Sequence, residues 1–355
     1  MLNLNKTLKY LKIATQLLLI TIKKSFILPL HNLWIRKVHK DICNGSNNTY
    51  FLIVNHMGDT FVTLSILENS RKYRMLQDNV IPIIFEGYKD LMTYFPFLSK
   101  KFLTWKNERF FLMNSRNLSD FNGFILNSSR YNLYIGILEK VRYKNLILIG
   151  YKYKYFKTFI KHIVNTNNIS YARFDNYLKF ILGVPFDIPT KLEFQRNQIN
   201  TEKALAFMRE HNLKIGKTVI LAPYSNSVPS SKEEENLKMF ERIAKLLDLK
   251  GYTVCTNVDR KNSEPIKGTI PISPSLDILI DLAELCGYVV AFRSGFTDIV
   301  ANSSAKLFVY YPKVYIFPQI SFYHYCSLSY IFDNPDVLEI EGDRNKFVQI
   351  IDNVL

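Results

Sequence analysis

Lys217-Thr-Val-Ile-Leu-Ala-Pro-Tyr-Ser-Asn-Ser-Val-Pro-Ser-Ser-Lys232 continues from its first lysine as an uncharged run rich in β-branched residues and breaks into a loop of serine, asparagine and proline. Residues 217–222 have the near-continuous apolar character of a strand buried on both faces. Ser231-Lys-Glu-Glu234 has the spacing of a capping box, which predicts a helix with Ser231 as N-cap and Glu234 at N3. Leu237, Phe240, Ala244 and Leu247 then mark one apolar helix face, and Gly251 supplies the C-terminal stop. A second strand follows at 252–256. Strand, loop, helix, strand is the unit of a parallel α/β sheet.

The same alternation extends in both directions. Downstream, a helix is expected over 276–286, a strand over 288–292, a turn at Arg293-Ser-Gly-Phe-Thr-Asp298, and a strand over 306–311. Upstream, residues 50–54 read as a strand, Asn55-His-Met-Gly-Asp59 as a turn and 60–69 as a helix. Strands follow at 80–85 and 145–149, with weaker candidates at 102–105 and 110–113. Gly183-Val-Pro-Phe-Asp-Ile-Pro189 interrupts the alternation and places a junction between about 184 and 200, with a helix at 201–211 beginning the second half. The expected fold class is therefore α/β, with two Rossmann-like domains facing across a cleft. The first spans 49–190 and the second 191–340, followed by a C-terminal helix at 341–355 and preceded by a basic segment at 1–48. The first domain carries no Gly-x-Gly-x-x-Gly phosphate loop.

Composition narrows the partners. The 355 residues include 48% hydrophobic and 22% charged positions, which suits a folded chain, and the net charge is +15. Such a charge favours anionic partners. No zinc-finger spacing, RNP-type strand or basic heptad helix accompanies it, so nucleic acid is not expected. Cys43, Cys255, Cys286 and Cys326 are widely separated, and three lie in or beside apolar runs, as reduced core thiols would. Before Tyr50 stand Lys6, Lys9, Lys12, Lys23, Lys24, Arg36, Lys37 and Lys40 against the single acid Asp41. The apolar stretch 11–30 is broken by Lys12, Gln16, Lys23 and Lys24, too polar for a spanning helix, and no small-residue cleavage site follows it. A basic amphipathic helix on an anionic membrane surface is expected, with packing on the protein as the alternative. Tyr151-Lys-Tyr-Lys-Tyr-Phe-Lys157 would add to such a surface or form a solvated basic face.

Three turns could carry chemistry. The loop after residue 222 offers Ser225, Asn226 and Ser227, with Lys232 at the start of a helix. A helix N-terminus exposes free N–H groups and partial positive charge, so phosphate suits it; a solvated, capped loop is the plainer reading. Arg293 follows an apolar strand directly, and Gly295 permits close backbone approach to a ligand. Arginine's planar fork matches a diphosphate, while a local pair with Asp298 would satisfy it equally. Gly58 and Asp59 stand where an acid would face the cleft. Asp59 is either a general base or the N-cap of the following helix, and His56 is a candidate helper.

These stretches, with Leu-Gly-Val-Pro-Phe-Asp at 182–187, resemble the bacterial glycosyltransferases related to the ADP-heptose:lipopolysaccharide heptosyltransferases, glycosyltransferase family nine, which have the GT-B fold. Where that family shows Pro-Gly-Ala-Ser, this chain has Pro223-Tyr-Ser-Asn226; where it shows Asp-Thr-Gly-x-x-His, this chain has Arg293-Ser-Gly-Phe-Thr-Asp298. The resemblance implies an inverting, metal-independent transferase without a cofactor, cytoplasmic and peripheral to the inner membrane. It would take a nucleotide-diphospho-sugar donor and a surface-glycan or lipid-linked acceptor of lipopolysaccharide or capsule type. Asp59, aided by His56, would activate the acceptor. Gly58, Ser225, Asn226, Ser227, Lys232, Arg293, Ser294, Gly295, Phe296, Thr297 and Asp298 would hold the donor, with Lys232 and Arg293 on the leaving diphosphate. No Asp-x-Asp triplet occurs in the chain. A GT-B sugar-nucleotide epimerase or hydrolase, or a non-catalytic membrane-associated nucleotide-sugar-binding protein, are the alternatives.

Overall fold

A computed structural model describes residues 50–54, 56–73, 80–99, 102–105, 122–126, 145–149, 159–160, 163, 169–182, 184–193, 197–225, 233–258, 264–317 and 320–355. The basic segment 1–48, the strand expected at 110–113, the stretch 151–157, and Asn226, Ser227, Ser231 and Lys232 lie outside them.

Two parallel sheets organise the chain. The first contains β1 (Tyr50–Val54), β2 (Val80–Phe85), β3 (Leu103–Trp105), β4 (Asn122–Leu126) and β5 (Asn145–Ile149), in the order β3-β2-β1-β4-β5. The second contains β6 (Thr218–Ala222), β7 (Thr253–Asn257), β8 (Ile270–Ile272), β9 (Gly287–Phe292), β10 (Lys306–Tyr311) and β13 (Val337–Glu341), in the order β13-β10-β9-β6-β7-β8. Between β10 and β13 runs a small antiparallel pair, β11 (Tyr315–Phe317) and β12 (Ile320–Ser321). Every neighbouring pair in the two large sheets is parallel. Each sheet begins with a central strand, winds to one edge, then returns and winds to the other. The order reverses between β1 and β4 in one sheet and between β6 and β9 in the other, and such reversals open a crevice at the carboxyl ends of the strands.

The helices are α1 (Met57–Lys72), α2 (Phe174–Leu182), α3 (Gln198–Glu210), α4 (Glu234–Leu249), α5 (Leu279–Cys286), α6 (Gly295–Val300), α7 (Phe322–Cys326), α8 (Leu328–Ile331) and α9 (Arg344–Val354). None is long and apolar enough to cross a membrane. All five residues of β6 and the last four of β9 are buried, as central strands covered on both faces require. One core runs through both halves, joining Phe61 and Leu64 of α1 to Ile220, Val289 and Leu307 of the second sheet. A separate cluster on the other side of that sheet packs Phe240, Ile243 and Leu247 against Phe347 and Ile351.

The helix α1 links the two halves. It is buried from Thr60 to Ser70, and its apolar residues surround the axis rather than forming one stripe, as befits a helix covered on all sides. Four of its interior polar residues are bonded. Ser65 and Ser70 donate to Phe61 O and Ile66 O one turn back, at 2.8 and 2.6 Å. The carboxylate of Glu68 accepts from the amides of Phe97 (2.8 Å) and Leu98 (3.0 Å). Asn69 Nδ2 donates to Pro189 O at 2.7 Å and Lys191 O at 3.0 Å, tying the segment between the sheets to the helix. That segment is fixed from its other side by a buried cluster on α2. Lys179 Nζ donates to Asp175 Oδ2 (3.0 Å) and Phe186 O (3.2 Å), and Thr190 Oγ1 donates to the same carboxylate.

Two expectations change. The helix α4 begins at Glu234 with Glu233 as its N-cap, so Glu234 is the first helical residue and does not close a capping box. The acidic first turn is held by long-range pairs instead, since Arg344 reaches Glu235 at 2.8 Å. Strands β4, β8, β11, β12 and β13 are additions to the expected set. Asn69→Ala should lower stability by about 1–3 kcal/mol, because two carbonyls of the linking segment lose their donor. Thermal denaturation measures this, and an unchanged midpoint would show that the linker is held elsewhere.

Candidate functional site

The central strands β1 and β9 each end in a turn that starts a helix at the reversal point of its sheet. After β1, His56 is the N-cap of α1 in extended backbone (φ −90°, ψ 146°), with no side-chain cap bond. Asp59 therefore lies in the first helical turn rather than at the cap, which removes capping as its explanation. His56 and Asp59 are both partly exposed, whereas Gly58 and Thr60 beside them are buried. After β9, Ser294 is the N-cap of α6, and its amide donates to Thr297 Oγ1 at 3.2 Å.

These two turns touch. A Cβ built on Gly58 would lie 2.9 Å from Gly295 Cα and 2.1 Å from Asp298 Oδ2, and a Cβ on Gly295 would lie 2.7 Å from Gly58 N. Only glycine at both positions lets the N-termini of α1 and α6 approach so closely. The carboxylate of Asp298 is thereby pressed against the first turn of α1, where free N–H groups and the helix dipole favour negative charge.

Of the two readings of Arg293, the structure contains the local pair. Its Nη1 and Nη2 donate to Asp298 Oδ2 and Oδ1 at 2.9 and 2.6 Å, a two-pronged charge-assisted contact. Further bonds run from Nη1 to Ser294 O (2.7 Å) and Thr297 Oγ1 (3.2 Å), and from Nε to Cys326 O (3.1 Å). Burial works against the arginine's charge, but the adjacent Asp298 more than offsets it and raises Arg293 above its ordinary range. Burial pushes Asp298 upward while Arg293 pulls it back, and the short paired bonds favour both groups remaining charged.

Asp59 lies in the field of this pair. Burial of its carboxyl pushes its pKa up to about 6; His56 and Arg293 work against the rise, and Asp298 adds to it. A carboxylate tuned towards neutrality in a cleft is suited to proton transfer. Thr60 Oγ1 is buried without a hydrogen-bond partner among the described residues, as is Thr63 Oγ1 further along the same helix.

The remaining expected residues are spread more widely. Ser225 is buried just beyond β6, next to Tyr224, whose hydroxyl donates to Glu264 O at 2.6 Å. Phe296 belongs to the core, and Thr297 is spent on internal bonds to Arg293 and Ser294. Cys255, Cys286 and Cys326 are buried free thiols, and burial pushes Cys286 and Cys326 up to about 12. No group of three or more His, Cys, Asp or Glu side chains among the described residues is placed to hold a metal. Sequence reasoning missed Tyr311, whose hydroxyl lies 3.0 Å from Cys326 O and 2.5 Å from Glu339 Oε1 and so extends the Arg293 network. Its place at the end of β10, beside the end of β9, was the available signal.

No family model and no curated protein sequence matches the chain. Solved structures do. The family 9 glycosyl transferase from Veillonella parvula is 15% identical with a TM-score of 0.52, over 87% of this chain and 90% of its own. The E. coli ADP-heptose lps heptosyltransferase II is 11% identical with a TM-score of 0.56, over 86% of this chain and 98% of its own. The fold is the GT-B fold of these transferases. In it, the Gly58–Gly295 contact lies where the two Rossmann-like halves meet at their reversal points.

Arg293→Met should cost about 3–5 kcal/mol by leaving Asp298 buried and unpaired. Gly58→Ala should also destabilise, by about 1–3 kcal/mol, since the added methyl has backbone on one side and the carboxylate on the other. Chemical denaturation measures both. Wild-type stability in Gly58→Ala would mean that the two helix ends are not in contact.

Proposed function

We propose that the chain is an inverting glycosyltransferase that moves a sugar from a nucleotide-diphospho-sugar to an acceptor hydroxyl, with Asp59 as general base. One observation carries the reading. The turn bearing Asp59 meets the turn bearing Arg293 and Asp298 at the crevice between two doubly wound sheets, the place where such sheets bind ligands. The likeness in fold to a family 9 glycosyl transferase and an ADP-heptose lps heptosyltransferase supports the same reaction class.

The steps follow from the groups at that crevice. The acceptor hydroxyl gives its proton to Asp59 as its oxygen attacks the anomeric carbon. The bond from that carbon to the diphosphate oxygen breaks on the opposite face, and the electron pair leaves with the nucleoside diphosphate. Negative charge grows on the leaving group, and fixed donors aimed at it lower the barrier. Lys232 and the loop holding Ser225, Asn226 and Ser227 supply those donors in this reading. Arg293 acts from further back, holding Asp298 and the α6 turn in place. The acceptor is a surface-glycan or lipid-linked molecule, and the basic N-terminal segment keeps the protein at the inner membrane's anionic surface.

Asp59→Asn tests the base. Transfer should fall by at least about 100-fold, the usual contribution of a positioned general base. In the wild type, activity should rise through pH 6 as Asp59 ionises. The stability change has the opposite sense. A carboxyl raised above its ordinary pKa favours the folded state below about pH 4 and loses that contribution as the pH passes through 6. At pH 7 Asp59→Asn should therefore stabilise the protein, by about 1–2 kcal/mol after allowance for partial exposure. Full turnover in Asp59→Asn would eliminate this base.

A further inference from the structure

The contact between the halves brings together more charge than a structural joint needs. On the α1 side stand His56 and Asp59. The turn after β9 supplies Arg293 and Asp298 from the other half, paired at 2.6 and 2.9 Å, with Asp298 Oδ2 lying 2.1 Å from where a Gly58 side chain would begin. Cys326 of α7 also senses Asp59. The helix α2 also packs on α1, but its Arg173, Asp175 and Lys179 form a cluster of their own, with Asp175 bonded to both cations.

We propose that Asp298 is a positioning residue for the reaction: a fixed carboxylate, oriented by Arg293, that one half presents to the first turn of α1 in the other, next to Asp59, so that the guanidinium does not face the base unpaired. The inference rests on the reading of Asp59 as the base. Two features of the geometry argue for it. Arg293 alone would be a buried cation next to Asp59 and would make it a weaker base, and an opposed charge within about 4–6 Å lowers an aspartate by about 1–3 pH units. The two-pronged pair spends that positive charge on Asp298 and leaves the carboxylate, not the guanidinium, against Gly58. The second feature is that the arrangement exists only across the contact, because α1 carries Asp59 while Arg293 and Asp298 belong to the second sheet. Asp298 therefore reaches the first turn of α1 only because Gly58 and Gly295 let the two turns meet.

The test follows the titration of Asp59 by carboxyl NMR on the full chain labelled with 13C-aspartate, its signal identified by its loss in Asp59→Asn. In the wild type the midpoint is expected at about 6. Asp298→Asn leaves Arg293 uncompensated and should lower the midpoint by about one pH unit or more, whereas Arg293→Met leaves Asp298 uncompensated and should raise it. Opposite shifts are not produced by a merely structural loss. Either single variant could fail to fold, so Arg293→Asp combined with Asp298→His keeps a pair but reverses it, and should lower the midpoint like Asp298→Asn. A midpoint unmoved in every variant that folds overturns the inference. The readout needs no substrate, so a shift without sugar transfer would sink the base assignment and leave the charge coupling intact.

Discussion

Gly58 and Gly295 are the two residues whose lack of a side chain lets the halves of this protein meet end to end. Each opens a helix at the reversal point of its sheet, and a Cβ on either would collide with the backbone of the other. Close approach of two helix N-termini would set partial positive charges against each other. Asp298 and Asp59, both in those first turns, supply negative charge there. Arg293 then makes burial of Asp298 tolerable. Replacing either glycine leaves a steric conflict, and removing Arg293 leaves Asp298 buried without its counter-charge.

The rest of the fold positions this contact. The helix α1 is buried along nearly its whole length and carries the linker through Asn69, so the first sheet cannot turn freely against the second. Behind Arg293, the Cys326 carbonyl and the Tyr311 hydroxyl connect the turn to Glu339 on the edge strand β13. Glu339 in turn accepts from the amides of Leu328 and Ser329 at the start of α8. The polar network thus runs from the crevice to the outer edge of the second sheet, and a buried network of this kind is stiff only while each member keeps its partner.

Much of this was legible in the sequence. The strands at 50–54, 80–85, 145–149 and 306–311 have the bounds that their apolar runs predict, because each run is continuous and its flanking polar residues mark where it ends. The strands that escaped notice are the weaker patterns. Asn122-Gly-Phe-Ile-Leu126 starts with two poor strand formers, Ile270-Pro-Ile272 carries a proline tolerated only because β8 is an edge strand, and Val337-Leu-Glu-Ile-Glu341 is half charged at the opposite edge. Asp59 and Arg293 stood out because each follows an apolar strand. Their relation did not, since neither periodicity nor spacing reveals that two glycines from opposite halves share one contact. The choice for Arg293 between a ligand and Asp298 also needed the distances, as both satisfy the same guanidinium chemistry.

The central claim is that the crevice at this contact takes a nucleoside diphosphate and its sugar. Calorimetric titration of the full chain with ADP, UDP, GDP and dTDP, followed by thermal denaturation with the matching diphospho-sugars, tests it most directly. The account predicts saturable binding of at least one diphosphate near one per chain, and a rise in melting temperature with its sugar derivative, since a ligand of the folded state stabilises it by mass action. Absence of binding by all four, with no melting shift from any of their sugar derivatives, would contradict it.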